Sequence, residues 1–174
     1  MAMLPLSVAA LPLACAVSVL PLLCAAPVLM AACVSDVRRR IIPDWSVLAL
    51  AAIGIGAAVL GGSLAAHLAV GGLCLLTGGL LAISGLWGWG DAKLLGASGL
   101  LVGLDGLVPF ANVMVLTGAG LALLLISLRR PVRAGRLPLP PGAPRWLVAE
   151  HRRLRAAPSV PYGLAIAAGT LAGM

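Results

Sequence analysis

Acidic residues are nearly missing from this chain. There are five among 174 residues, against twelve lysines and arginines. Charge of either sign makes up only 10% of the sequence, where a soluble domain carries about a quarter, so an ordinary water-soluble globule is excluded. Aromatics are scarce at 3%, while Ala, Leu and Gly abound. That is the composition of helices that pack closely through small residues, because lipid offers no hydrophobic drive to association. Short alternating strands are absent, which excludes a transmembrane barrel. No two of the four cysteines, Cys15, Cys24, Cys33 and Cys74, have Cys-x-x-Cys spacing, so metal and redox sites of that type are excluded and the four are expected in the core. No His cluster, Gly-x-Ser-x-Gly or phosphate loop is present, and neither a metal nor a cofactor is expected.

The chain therefore reads as a polytopic all-α membrane bundle. A helix needs about 20 apolar residues to cross the hydrocarbon core, and six runs approach that length. The first is placed at roughly residues 13–35, with Pro5, Pro12, Pro21 and Pro27 breaking the longer apolar stretch. The second covers Trp45 to about Leu60 and the third, after the Gly61-Gly62-Ser63 turn, about Leu64 to Ser84. The fourth starts near Asp91 and ends before Asp105 or near Pro109. The fifth covers Phe110 to Leu128, and the sixth Val160 to Met174. The whole of 1–174 is expected to form one membrane domain, with 129–158 as a basic, proline-rich cytoplasmic loop within it. Inside that loop, Trp146 to Arg155 has the pattern of a short amphipathic helix lying on the membrane. The start lacks the positive n-region of a cleavable signal peptide, so the first segment is expected to be retained.

A net charge of +7 suggests nucleic-acid affinity, but the basic residues lie in two loops plus Lys93, which is the pattern of a topology signal. Positive residues stay on the cytoplasmic side in short loops. Arg38-Arg39-Arg40 then places the end of the first span inside and the N-terminus outside. Counting spans onward brings Gly88 to Lys93 inside, Asp105 outside and the arginines between Arg129 and Arg155 inside. Asp36 and Asp91 are thereby expected at one cytoplasmic rim of the bilayer.

An ionisable side chain at membrane depth is expensive and marks a functional site by default. Two carboxylates close together in a poorly solvated place have coupled titrations, and one of them keeps a proton. The ionised member then takes a proton from water while the protonated member polarises a peptide carbonyl, as in aspartic proteases. Gly88 and Gly90, flanking Trp89 and followed by Asp91, let backbone approach such a site closely. Asp91 falls at a helix N-terminus, where the dipole favours the ionised form. Asp36 and Asp91 are the expected catalytic pair. Lys93, two residues on, is expected either to bear on the pair or to snorkel to the interface. Pro43 sets the loop's exit into the second span. Trp45, Trp87 and Trp89 suit an interfacial belt, and His67 suits the outer end of the third span. Tyr162 and Gly163 are read as either a wall of the site or helix packing.

Two segments, Asp36-Val37-Arg38-Arg39-Arg40-Ile41-Ile42-Pro43-Asp44-Trp45 and Gly88-Trp89-Gly90-Asp91-Ala92-Lys93-Leu94-Leu95, resemble motifs of the type IV prepilin peptidases. The likeness is to the small, peptidase-only members of tight-adherence (Flp-type) pilus systems. Val160-Pro161-Tyr162-Gly163 resembles that family's late helix start. The resemblance implies a membrane aspartic endopeptidase of the inner membrane that clips the basic leader of prepilins and pseudopilins, with Asp36 and Asp91 catalytic by motif position. Larger members carry a segment with paired Cys-x-x-Cys motifs and also N-methylate the product. No such segment and no Cys-x-x-Cys pair is seen here, so methyltransferase activity is not expected. Partners implied are prepilin substrates and membrane lipid, not nucleic acid. The competing readings are a small proton- or cation-coupled transporter, which wants acids at mid-membrane depth, and a non-catalytic pilus-assembly scaffold, which has no need of the acid pair.

Overall fold

The computed structural model describes residues 10–156 and 160–174, with side chains from Val19 onward except those of Trp146, Glu150, Arg153 and Ala156. Pro5 and the start of the expected retained segment lie outside these residues, as does the side chain of Cys15. The described residues form helices and no strand. They are α1 (Ala10–Arg39), α2 (Asp44–Leu60), α3 (Leu64–Ile83), α4 (Trp89–Val102), α5 (Leu107–Arg133), α6 (Arg145–Ala156) and α7 (Tyr162–Gly173).

Val19–Arg39, Leu64–Ile83 and Leu107–Arg133 are long and apolar enough to cross a bilayer, while α2 and α7 are shorter apolar helices. An all-helical answer follows from the solvent: hydrocarbon cannot satisfy backbone N–H and C=O groups, so each segment must pair its own. The outward faces agree. Leu76, Leu80 and Ile83 of α3 and Val115, Leu116 and Leu123 of α5 are all more than 60% exposed, an apolar surface that a soluble monomer does not tolerate. The protein is an integral membrane helical protein.

The helix at the centre of the molecule is α4. Nine of its 14 residues are buried, whereas α5 buries only Phe110, Gly118 and Val132 along 27 residues. A helix that is apolar all round belongs inside, and α4 is packed by α2, α3, α5 and α7, with α1 closing the bundle against α2 and α7. The neighbours come in at backbone distance. A Cβ on Gly78 of α3 would lie 2.8 Å from Cα of Ala92, and one on Gly54 of α2 would lie 2.9 Å from the nitrogen of Leu101. His67 at the start of α3 ties down the far end, its Nδ1 lying 2.7 Å from the carbonyl oxygen of Leu100.

Three expectations change. Pro21 and Pro27 lie inside α1 without ending it, because a membrane helix tolerates the lost hydrogen bond where neighbours and local adjustment re-satisfy it. The segment from Arg129 is not all loop. Helix α5 continues past Leu128 and through Pro131 to Arg133, whereas the short amphipathic helix expected at Trp146 to Arg155 is found as α6. That helix is held to α5 and the loop after it, with Nε of Arg133 donating to the carbonyl of Arg155 at 3.2 Å and Nε2 of His151 donating to that of Leu137 at 3.0 Å. Finally, Cys33 and Cys74 are buried as expected, but Cys24 is exposed on α1.

Candidate active site

Three chain segments meet at one end of the bundle: the last turn of α1, the connector from α3 into α4, and the start of α7. Between them lies a cavity of about 410 Å³, lined by Asp36, Arg40, Gly88, Asp91, Val160 and Tyr162 together with Gly85 to Trp87. The two acids singled out in the sequence, 55 positions apart, thus face the same space, and each lies within the other's electrostatic field.

Each carboxylate is held at the N-terminal end of a helix. Asp91 stands in the first turn of α4, whose N-cap Gly88 is extended at φ −81°, ψ 148°, and its carboxylate turns back toward that N-cap, its Oδ2 lying 3.3 Å from where a Cβ on Gly88 would be. Asp36, only 6% exposed, belongs to α1 but reaches the first turn of α7, where the Gly163 N–H donates to its Oδ2 at 3.0 Å. Free N–H groups and the helix dipole favour a negative charge at such a terminus. A Cβ on Gly163 would lie 2.7 Å from that same Oδ2, so only glycine lets α7 come this close. Cys33, one turn before Asp36, donates from Sγ to the Gly163 carbonyl at 3.7 Å. Gly163 is therefore gripped on both its polar groups by one face of α1.

The walls are aromatic and basic. Trp87 and Tyr162 pack with ring centroids 5.0 Å apart and planes tilted by 32°, closing the side between α7 and the connector. Arg40 directly follows α1 with φ at 57°, the single non-glycine residue with positive φ among the described residues. Its N–H donates to the Asp36 carbonyl at 2.8 Å. A left-handed backbone costs an L-residue roughly 1–2 kcal/mol.

Gly88 lines the cavity and Gly90 does not; a Cβ on Gly90 would sit 3.3 Å from Cβ of Ile42, so this glycine seats the 40–43 loop against α4. Lys93 and Pro43 are also outside the cavity. Lys93 Nζ pairs with Asp44 Oδ1 at 2.8 Å on the exposed surface, linking α4 to the first residue of α2. It therefore stands neither over the acid pair nor as a lone snorkelling cation. Pro43 is the N-cap of α2 in extended conformation, as its expected place in the loop requires. Trp45 and Trp89 are exposed, whereas Trp87, read as part of the same belt, lines the cavity.

Three participants escaped the sequence reading: Arg40, Cys33 and Trp87. For the first two a signal existed. Cys33, Asp36 and Arg40 follow i, i+3 and i, i+4 spacing, which sets them on one helix face. Trp87 has no such mark, because its position depends on how the α3 to α4 connector folds back.

A sequence-family model described as the type IV leader peptidase family matches residues 23–125, more than half of the chain. The chain belongs to this family. No curated protein and no solved structure matches it. As a type IV leader peptidase it is a membrane peptidase, a hydrolase of peptide bonds. The matched stretch contains Asp36, Arg40 and Asp91 and stops before α7. Tyr162 in the cavity wall and Gly163 on the Asp36 carboxylate therefore lie outside the matched stretch, and the structure is what joins them to the site.

Proposed function

We propose that this leader peptidase is an aspartic endopeptidase that removes the leader of type IV, Flp-like prepilins and pseudopilins at the cytoplasmic face of the inner membrane. The observation that carries the reading is that Asp36 and Asp91 line one cavity, the first with the Gly163 N–H on its carboxylate and the second in the first turn of α4. Such a pair suits general acid–base hydrolysis. The ionised carboxylate takes a proton from a water held between the two acids, and the water oxygen bonds to the carbon of the scissile carbonyl. The protonated carboxyl gives its proton to the carbonyl oxygen. The tetrahedral diol then collapses: the C–N bond breaks, the amide nitrogen takes up the proton that the first carboxylate acquired, and one diol hydroxyl returns its proton to the second carboxylate as the new carboxyl terminus forms. Every group required is a side chain of the chain itself or water.

The distribution of arginines supports the cytoplasmic side. Arg38 and Arg39 end α1 and Arg40, next in the chain, lines the cavity, while α6 with the tail of α5 holds most of the others, as the positive-inside rule asks. Asp105, the acid placed on the other side, follows the opposite end of α4 and is exposed. A six-span topology fits this arrangement if α4 and the shorter apolar helices α2 and α7 cross within the protein alongside the three long spans. Co-expression with an Flp-type prepilin in a host without its own leader peptidase tests the reading. Wild-type enzyme shortens the prepilin on an immunoblot. Asp36→Asn and Asp91→Asn each leave it full length while remaining in the membrane fraction.

A further inference from the structure

Arg40 is a cation in a cavity whose other titratable linings are Asp36 from α1, Asp91 from α4 and Tyr162 from α7. Its Nε and Nη1 are shielded from solvent, and its charge acts on Asp91. The thiol of Cys33, outside the cavity lining, is engaged with the Gly163 carbonyl, and Lys93 is spent on Asp44 outside the cavity. Arg40 is thus the one basic group among the cavity's lining residues. The backbone adds an independent observation. At φ 57° the position closing α1 is one where glycine, or asparagine, is cheaper than arginine. A strained residue held at a cavity between two acids is kept for its side chain rather than for the fold.

Building on the acid-pair reading, we propose that Arg40 is a positioning residue of the acid pair, its guanidinium offsetting the charge of Asp36 and Asp91 so that together they hold one proton and not two. The chemistry needs this. With two protons the pair has no base to activate water. A cation in a poorly solvated cavity favours the ionised form of a neighbouring carboxylate, so Arg40 keeps the base available as pH falls. Without it the second proton binds more readily, and the acid limb of the activity profile moves to higher pH.

The test is a set of purified full-length variants in detergent, measured as kcat/KM against pH on a synthetic prepilin together with a melting curve. Arg40→Gly relieves the backbone and Arg40→Asn keeps a residue tolerant of this conformation; both are expected to melt at or above the wild-type temperature. Both are expected to shift the acid limb upward by about one pH unit and to regain activity in alkaline buffer. Arg40→Lys, which keeps the charge, is expected to hold the wild-type limb. A limb that stays in place in Arg40→Gly and Arg40→Asn overturns the assignment, whether the rate is unchanged or lowered equally at every pH. Asp36→Asn and Asp91→Asn are run alongside. If they cleave normally, the acid-pair reading itself fails; if they are inert and the Arg40 profiles do not move, only the role of Arg40 fails.

Discussion

The N–H of Gly163 donates to Oδ2 of Asp36 at 3.0 Å across 127 positions of sequence. This bond joins the last apolar helix to the end of the first, and so fixes one carboxylate at the mouth of α7. It also explains why α7, beyond the stretch matched by the family model, belongs to the site.

Gly163→Ala tests that bond. The new Cβ would meet Oδ2 at 2.7 Å and the Asp36 Cβ at 3.2 Å, so either α7 retreats or Asp36 turns away. A misplacement of this order in a catalytic group costs about a hundredfold in rate. The expected result is a fall in kcat/KM of at least about tenfold with KM little changed, read on a synthetic prepilin.

Lys93 gives a contrasting expectation. Its pair with Asp44 is exposed on both sides, and pairs of that kind contribute only about 0–1 kcal/mol. Lys93→Ala and Asp44→Ala are each expected to keep kcat/KM within about threefold of wild type and to melt within a few degrees of it. A loss approaching that of an Asp36 variant would place Lys93 in the chemistry.

Packing against α4 can be tested by two glycines of one helix. In α3, a Cβ on Gly78 would collide with the Ala92 backbone at 2.8 Å, one residue from Asp91, while Gly72 faces open space. Gly78→Leu is expected to destabilise by roughly 1–3 kcal/mol through overpacking, and to lower activity because the start of α4 is displaced. Gly72→Ala is expected to leave the melting temperature unchanged or slightly higher, since alanine is the better helix former by about 1 kcal/mol. Melting curves in the same detergent decide both.

What could be read from the sequence, and what could not, divides along physical lines. Apolar run length is a local property, so α2, α3 and α5 start within about three residues of their expected places, and the amphipathic pattern of α6 is visible in its own twelve residues. Asp36 and Asp91 stood out because acids are so rare in this chain. Their meeting in one cavity depends on how α1, α4 and α7 pack, which run length does not encode. For the same reason the destination of Lys93 was not legible. Two residues from Asp91 in sequence, it projects from another side of α4, and the acid it finds is Asp44. Pro21 and Pro27 misled in the other direction: the rule that proline ends helices comes from water, and a helix buried in lipid and protein has no better alternative than to continue.

The central claim is that Asp36 and Asp91 are the catalytic pair of this leader peptidase. The most direct measurement is cleavage of a synthetic prepilin by purified enzyme in detergent, with the products weighed by mass spectrometry. Asp36→Asn and Asp91→Asn keep side-chain size and remove the ability to trade protons. The account predicts one cut at the leader junction with wild-type enzyme and a rate at least about a thousandfold lower with either variant, both melting near wild type. Cleavage at the wild-type rate by either correctly folded variant would contradict it.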